Sequence, residues 1–287
     1  LSLVIGTDPE SFAVNDEGIC IPPVMLRRQG LNVIRTEYTE SGTPHPVFYD
    51  DGNIKVIEDG VAMEYTIAPT NDPAVMYKMF NEAIEIADNL VARYGVKIVA
   101  KPVIPFNFHA LGLSEADDEA HQSCIFGCDA SLNIYSGEFS KIRAVVTLPH
   151  RFAGGHIHVS PVPHALFVPF TQLMDILVGS AIVVMATDQE AERTRNRFYG
   201  EPGTIRLQNY PNDIEGIEYR PPSVSWLSSE DSVSKIHGMI HNVMKLMGSK
   251  KDAREVINIY LEQAKYALNE YDKEIAGEIL NGLGVSV

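Results

Sequence analysis

The run AGGHIHVS, Ala153 to Ser160, sets two histidines one residue apart in an otherwise apolar stretch that follows a glycine pair. On a strand alternate residues share a face, so His156, His158 and Ser160 stand on one side and Ile157 and Val159 on the other. The same division recurs elsewhere. In VAMEYTI, Val61, Met63, Tyr65 and Ile67 form the core side while Ala62, Glu64 and Thr66 oppose them. Thr204 and Arg206 oppose Ile205 and Leu207, Glu218 and Arg220 oppose Ile217 and Tyr219, and Asp8 and Glu10 are paired in GTDPES. For any one strand, a solvated antiparallel face explains the pattern. Together the polar sides of these runs collect carboxylates, imidazoles and guanidinium groups and no lysine, where a merely solvated face favours Thr, Ser and Lys. Carboxylates with His are ligands for hard divalent cations, and Arg is the planar fork suited to phosphate or carboxylate. The economical reading is a polar cleft that handles anions through metal.

Spacing rules out several other chemistries. A cupin-type metal site needs a Glu shortly after the His-x-His pair, whereas Ser160, Pro161, Val162 and Pro163 follow. No G-x-x-x-x-G-K-[ST] phosphate loop and no G-x-S-x-G elbow occurs, and Gly282-Leu283-Gly284 follows no strand-like run. ATP, if bound, is bound without a P-loop.

Against 23 Lys and Arg the chain carries 38 Asp and Glu, a net charge of −15, so non-specific nucleic-acid binding or attraction to an anionic membrane is not expected. A polyanionic ligand then needs local help from metal ions or clustered arginines. Cys20, Cys124 and Cys128 form no disulfide framework and are expected to be packing residues in a reducing compartment. The apolar stretch Ile176 to Ala186, bounded by Asp175 and Pro169, reads as a buried helix too short to span a bilayer. LSLVIGTDPE has no basic region ahead of its apolar residues, so no signal peptide is expected and the expected location is the cytoplasm.

The elements that must position these residues can be read coarsely. Turns such as Asp51-Gly52 imply hairpins in the N-terminal part. A helix is predicted from Asn71-Asp72-Pro73 to Tyr94-Gly95, then a strand from Val96 to Ile104. An irregular region follows through Asn133; its acidic run Glu115 to Glu119 reads as a solvated helix end, and the stretch is a candidate lid. Strands are predicted at Ala144 to Leu148, Gly155 to Ser160 and around Ile205 and Ile217, with a buried helix from Leu166 to Thr187. Two long C-terminal helices close the chain, the second from about Asp252 to Leu283. No Pro/Gly/Ser linker divides the 287 residues, which predicts a single domain, 1–287, with a helical C-terminal part, 229–287.

GTDPE, EDGVAMEY, AGGHIHVS, RNRFYGEPGTIR and GIEYR occur in an order that resembles the glutamine synthetase and glutamate–cysteine ligase superfamily, and most of all the phage-encoded carboxylate–amine ligases of type two, in which FGCDASLNIY also has a counterpart. The resemblance spans Ile5 to Trp226. It implies an α+β, glutamine synthetase-like catalytic fold: a curved antiparallel sheet with helices packed on its outer face. The implied activity is ATP-dependent amide formation, in which an acyl phosphate made on a carboxylate is attacked by an amine, with Mg²⁺ or Mn²⁺ as cofactor. It implies metal ligation by Asp8, Glu10, Glu58, Glu64, His156 and Glu218, and phosphate contacts by His158, Arg206 and Arg197, with Arg193 and Arg195 as substitutes for the last. Arg206, Arg220 and Glu218 are the implied catalytic groups, with Arg220 and Asp129 toward the substrates. The implied partners are small-molecule or peptide carboxylates and amines; homo-oligomerisation is left open. Two competing readings remain, a non-catalytic nucleotide- or metal-binding phage protein that keeps the fold and a metal-dependent hydrolase.

Overall fold

The computed structural model describes residues 2–39, 42–125, 130–139 and 148–287. The first part of the chain supplies strands β1 (Val4–Asn15), β2 (Arg35–Tyr38), β3 (Pro44–Asp50), β4 (Ile54–Asp59), β5 (Ala62–Ile67) and β6 (Val96–Val99). Strands β7 (Val103–Pro105), β8 (Leu132–Asn133), β9 (His150–Phe152), β10 (Gly155–Ser160), β11 (Thr204–Tyr210) and β12 (Ile214–Tyr219) follow. Among the described residues ten of these form one sheet in the order β2-β3-β4-β5-β1-β10-β12-β11-β8, with β6 paired to the far end of β1. Each pairing is antiparallel. β7 and β9 form a separate pair. The fold is α+β.

Strand β1 is the spine. Its first half pairs with β10, its middle with β5 and its last four residues with β6, so one twelve-residue strand serves three neighbours. The alternate apolar residues Ile5, Ile157, Val159, Ile205, Ile217 and Tyr219 are fully buried on one side of the sheet. Each such side chain stabilises the fold by about 1.5–3 kcal/mol relative to exposure. That side is covered by α2 (Pro73–Val91) over β4 to β6 and by α4 (Phe167–Met174) against β12, with α7 (Glu230–Met247) packed on α2, α4 and α5 (Ser180–Met185). The other helices are α1 (Pro23–Arg28), α3 (Asp118–Cys124), α6 (Gln189–Asn196), α8 (Lys250–Glu270) and α9 (Lys273–Gly282). One continuous apolar cluster runs from Ile5 to Leu280.

Local chemistry accounts for the helix ends. Asp72 caps α2 through the Ala74 and Val75 N–H groups, and Met76, Phe80, Ala83, Ala87 and Val91 give it one buried stripe at helical spacing. The C-terminal helix expected from Asp252 to Leu283 is two helices. Tyr271 takes a left-handed φ of 52° and Asp272 caps the next start through Glu274 and Ile275 N–H. Helical spacing of apolar residues does not register such a one-residue reversal.

Two other expectations change. The run 164–185 is helical for 22 residues at mean hydropathy 1.8, long and apolar enough to cross a bilayer, but 72% of its most apolar stretch is buried inside the protein, as in a core helix. The run Glu115 to Glu119 is more than a solvated end: Asp117 caps α3 through Ala120 N–H and, with Glu119, pairs with Arg27 and Arg28 of α1. Residues 144–147 of one predicted strand and Cys128 lie outside the described residues.

Candidate active site

Register assembles the polar face. Across the central ladders Glu10 faces Glu64, Asp8 faces His156, and Glu218 faces both His158 and Arg206. Five strands thus lay their polar positions in one row. Lysine is not wholly missing from this side, because Lys55 stands opposite Thr66 near its outer end, where it pairs with Glu37.

At the centre, Asp8, His156 and Glu218 bring one ligand atom each within 4.8 Å of one another. His156 Nδ1 lies 3.2 Å from Asp8 Oδ1 and 3.3 Å from Glu218 Oε1, and its Nε2 lies 2.6 Å from the Tyr199 hydroxyl. His158 Nε2 lies 3.2 Å from Asp8 Oδ2, and its Nδ1 is 2.8 Å from Tyr210 Oη. Glu218 is heavily partnered: Arg220 donates to Oε1, Gln208 donates to Oε2 at 2.8 Å, and Arg206 Nη1 stands 3.5 Å from Oε1. These neighbours set the charges. Burial opposes ionisation of Asp8, but His156 and His158 outweigh it and hold the carboxyl well below the usual range. Burial also opposes ionisation of Glu218, which Arg220 reverses. Burial and then Arg220 push His156 below the usual imidazole range, whereas Asp8 outweighs burial at His158 and raises it.

Beside this lies a second group, Glu10, Asp59 and Glu64, again with one oxygen each within 4.8 Å. Burial, then Asp59, pushes Glu10 up to about 8, with the Gly154 N–H pulling the other way. Burial and then Asp8, Asp59 and Glu10 push Glu64 well above the usual carboxylate range. The glycine pair before His156 follows from this crowding. A Cβ on Gly154 would lie 2.5 Å from His156 Nε2 and 3.2 Å from Glu10 Oε1, while its N–H donates to Glu10 Oε2 at 2.7 Å. A Cβ on Gly155 would lie 2.5 Å from Ser223 O.

Glu58 is not brought to this group. In the β4–β5 hairpin Glu58 pairs with Met63 and Asp59 with Ala62, so Glu58 shares the core-facing side and Asp59 the side of Glu64. Glu58 is 4% exposed and takes two bonds from Arg27 instead. Asp59 stands where Glu58 was expected; pairing the strands through the two-residue turn at Gly60-Val61 would have shown it.

The arginines separate. Arg195 is fully buried and donates to the carbonyls of Ala153, Pro221 and Pro222, which commits it to holding the chain together. Arg193 reaches Glu270 O at the start of the C-terminal break, and Arg197 is exposed. Arg206 is 24% exposed, whereas Arg220 is 1% exposed and bound to Glu218 and Tyr199. Asp129 lies outside the described residues. Sequence reasoning missed Asp59 and the hydroxyls of Tyr199 and Tyr210; Tyr199 stands two residues after Arg197 in a run already singled out for its arginines.

The side chains fit divalent metal. Two neighbouring sets rich in carboxylate oxygen suit Mg²⁺ or Mn²⁺ better than a soft ion, and the buried Asp8 Oδ1 finds no well-aligned hydrogen-bond donor. Three carboxylates packed together at Glu10, Asp59 and Glu64 also call for a cation.

Comparison with known proteins bears on the half of the row after β9. Residues 145–282 match the family Phage phiEco32-like COOH.NH2 ligase-type 2. The match to this ligase family spans His156, His158, Tyr199, Arg206, Glu218 and Arg220, while Asp8, Glu10, Asp59 and Glu64 precede it. No curated protein matches the chain. Solved structures similar to it include one described as apo GmaS without ligand, with a TM-score of 0.41 and 11% identity over 99% of this chain and 70% of that one. Another is described as a GmaS/ADP complex in conformation 1, with a TM-score of 0.39 and 10% identity over 99% and 70% of the two chains. Likeness of that degree says nothing about activity; the ligase-family match does, and it supports a carboxylate–amine ligase.

Proposed function

We propose that the protein joins a carboxylate to an amine using ATP, through an acyl phosphate. A carboxylate oxygen attacks the γ-phosphorus and ADP leaves; the amine then attacks the acyl carbon, phosphate leaves, and the nitrogen loses a proton. The first step sets like charges together, so cations must neutralise the approach. Mg²⁺ or Mn²⁺ would be held by Asp8, His156 and Glu218 and by Glu10, Asp59 and Glu64, and would supply that neutralisation. Arg206, partly exposed beside Glu218, is assigned to the γ-phosphoryl oxygens, with His158 and Arg197 toward the nucleotide. Arg220, buried between Glu218 and Tyr199, holds the row together and turns its charge toward the substrate carboxylate. Asp129 is assigned to the amine on the family resemblance. The substrates are small-molecule or peptide carboxylates and amines of the cytoplasm, where ATP is at hand.

The observation that carries this reading is the row from Glu64 to Arg206, in which two carboxylate groups able to hold metal end in a guanidinium on one face. Screening cell metabolites for ADP release tests it, with release requiring a carboxylate and an amine together. Nucleotide binding without turnover on any pair would make the protein a binding module, and phosphate release that needs no amine would make it a hydrolase.

A further inference from the structure

Arg195 plugs the end of α6 into the sheet, and the chain folds back over it. The N–H groups of Phe198 and Tyr199 both return to Arg195 O, and Gly200 takes a left-handed φ of 93°, where a side chain would strike the Arg195 guanidinium and Pro221 O. This turn carries Tyr199 to the row. Its ring lies with Arg195 Cζ 4.8 Å and Arg220 Cζ 5.5 Å from the centroid, and meets the His156 ring edge-on at 5.8 Å. Its hydroxyl touches His156 Nε2 at 2.6 Å and accepts a bond from Arg220 Nη2.

We propose that Tyr199 is a positioning residue whose single hydroxyl ties the metal-facing histidine, His156, to Arg220 and serves either tautomer of that imidazole. The inference deepens the metal reading above and rests on it. A phenol offers one O–H and two lone pairs. Arg220 can only donate, so it takes one lone pair of the hydroxyl that also meets His156 Nε2. Nδ1 faces two carboxylates, at 3.2 and 3.3 Å, and the Arg220 Nη1 donor, at 3.4 Å; with its hydrogen toward the carboxylates, Tyr199 donates to Nε2, and with its lone pair toward Arg220, Nε2 donates to Tyr199 Oη. A cation between Asp8, His156 and Glu218 needs the Nδ1 lone pair; the ring then carries its hydrogen on Nε2, which donates to Tyr199 Oη. The hydroxyl rotates and no heavy atom moves. Ligating histidines are regularly fixed through their second nitrogen, and losing that partner lowers metal affinity about 10–100-fold. Phenylalanine at this place keeps the edge-on ring contact and serves neither tautomer.

The test uses the full chain without nucleotide. Mn²⁺ affinity is read from the free-ion electron paramagnetic resonance signal for wild type, Asp8→Asn and Tyr199→Phe. The His156 tautomer of the wild type is read from long-range ¹⁵N–¹H correlations with and without Mg²⁺. We expect Tyr199→Phe to weaken Mn²⁺ at least tenfold, and the wild-type ring to carry Nε2–H while Mg²⁺ is bound. If the wild type and Tyr199→Phe bind Mn²⁺ within twofold of each other while Asp8→Asn loses it, the proposal falls and the metal reading stands. If the wild type binds no Mn²⁺, both fall. The tautomer measurement needs no variant, so an imidazole that keeps Nδ1–H while Mg²⁺ is bound overturns the proposal even if Tyr199→Phe does not fold.

Discussion

Glu58 accepts two hydrogen bonds from the Arg27 guanidinium, at 2.6 and 3.2 Å, on the side of the β4–β5 hairpin opposite to Glu64. Two adjacent acids, Glu58 and Asp59, therefore have separate duties, one in folding and one in the cleft.

Substitution separates the two. Glu58→Gln takes the buried anion from a guanidinium that is 18% exposed and leaves it only the half-exposed Glu119, and breaking a pair this buried costs roughly 2–4 kcal/mol, read as a lower urea midpoint. Asp59→Asn is expected to keep the midpoint and to weaken Mg²⁺ or Mn²⁺ binding in calorimetric titration. The opposite pattern would return Glu58 to the cleft.

The arginines of the row part in the same way. Arg206→Lys keeps the charge and loses the fork, so turnover is expected to fall by roughly 2–4 kcal/mol of transition-state stabilisation, on the order of a hundredfold, with ATP affinity little changed. Hydroxamate formed by trapping the acyl phosphate with hydroxylamine isolates this step. Near-normal hydroxamate in the variant would remove Arg206 from the phosphoryl group.

Arg195 and Arg197, two residues apart, should respond differently. Arg195→Gln strands the carbonyls of Ala153, Pro221 and Pro222 inside the protein and is expected to cost about 3 kcal/mol or more, seen as a lower melting temperature. Arg197→Gln is expected to leave melting unchanged and to weaken ATP about tenfold if its exposed guanidinium meets phosphate. Unchanged ATP binding would move that contact to Arg193.

Stability should depend on pH through Asp175, a buried acid in the π-helical turn 175–179 that takes bonds from Tyr135 at 2.6 Å and Tyr219 at 2.7 Å. Burial, opposed by those phenols, pushes it up from 3.8 to about 7. Between these values the folded chain keeps a proton that the unfolded chain has released. Its contribution is thus fully present below the lower value and is lost as pH rises through the upper, with a slope of at most about 1.4 kcal/mol per pH unit. Urea titrations from pH 5 to pH 8 should show wild type losing stability relative to Asp175→Asn. Parallel curves would mean that Asp175 stays ionised.

How much of this was legible beforehand depends on how local the cause is. The period-two alternation of GHIHVS, VAMEYTI, TIRLQ and GIEYR is a property of each strand alone, so the sequence by itself determined that Glu64, His156, His158, Arg206, Glu218 and Arg220 oppose an apolar side. The stripe and cap of α2 were equally local. Register was not. Whether Glu58 or Asp59 joins Glu64 depends on the pairing of Glu58 with Met63 across a turn, and a shift of one residue exchanges the two faces of a strand. The sequence also showed four arginines after residue 190 and before β12, and left open which of Arg193, Arg195 and Arg197 joins Arg206 at phosphate. Arg195 was taken out of the cleft by carbonyls on the strand-end loops at Ala153, Pro221 and Pro222. Tyr199 was brought in by the turn that packs on Arg195, more than forty residues from the histidine it touches. Such contacts join elements distant in the chain, and only the packed sheet and helices bring them within bonding distance.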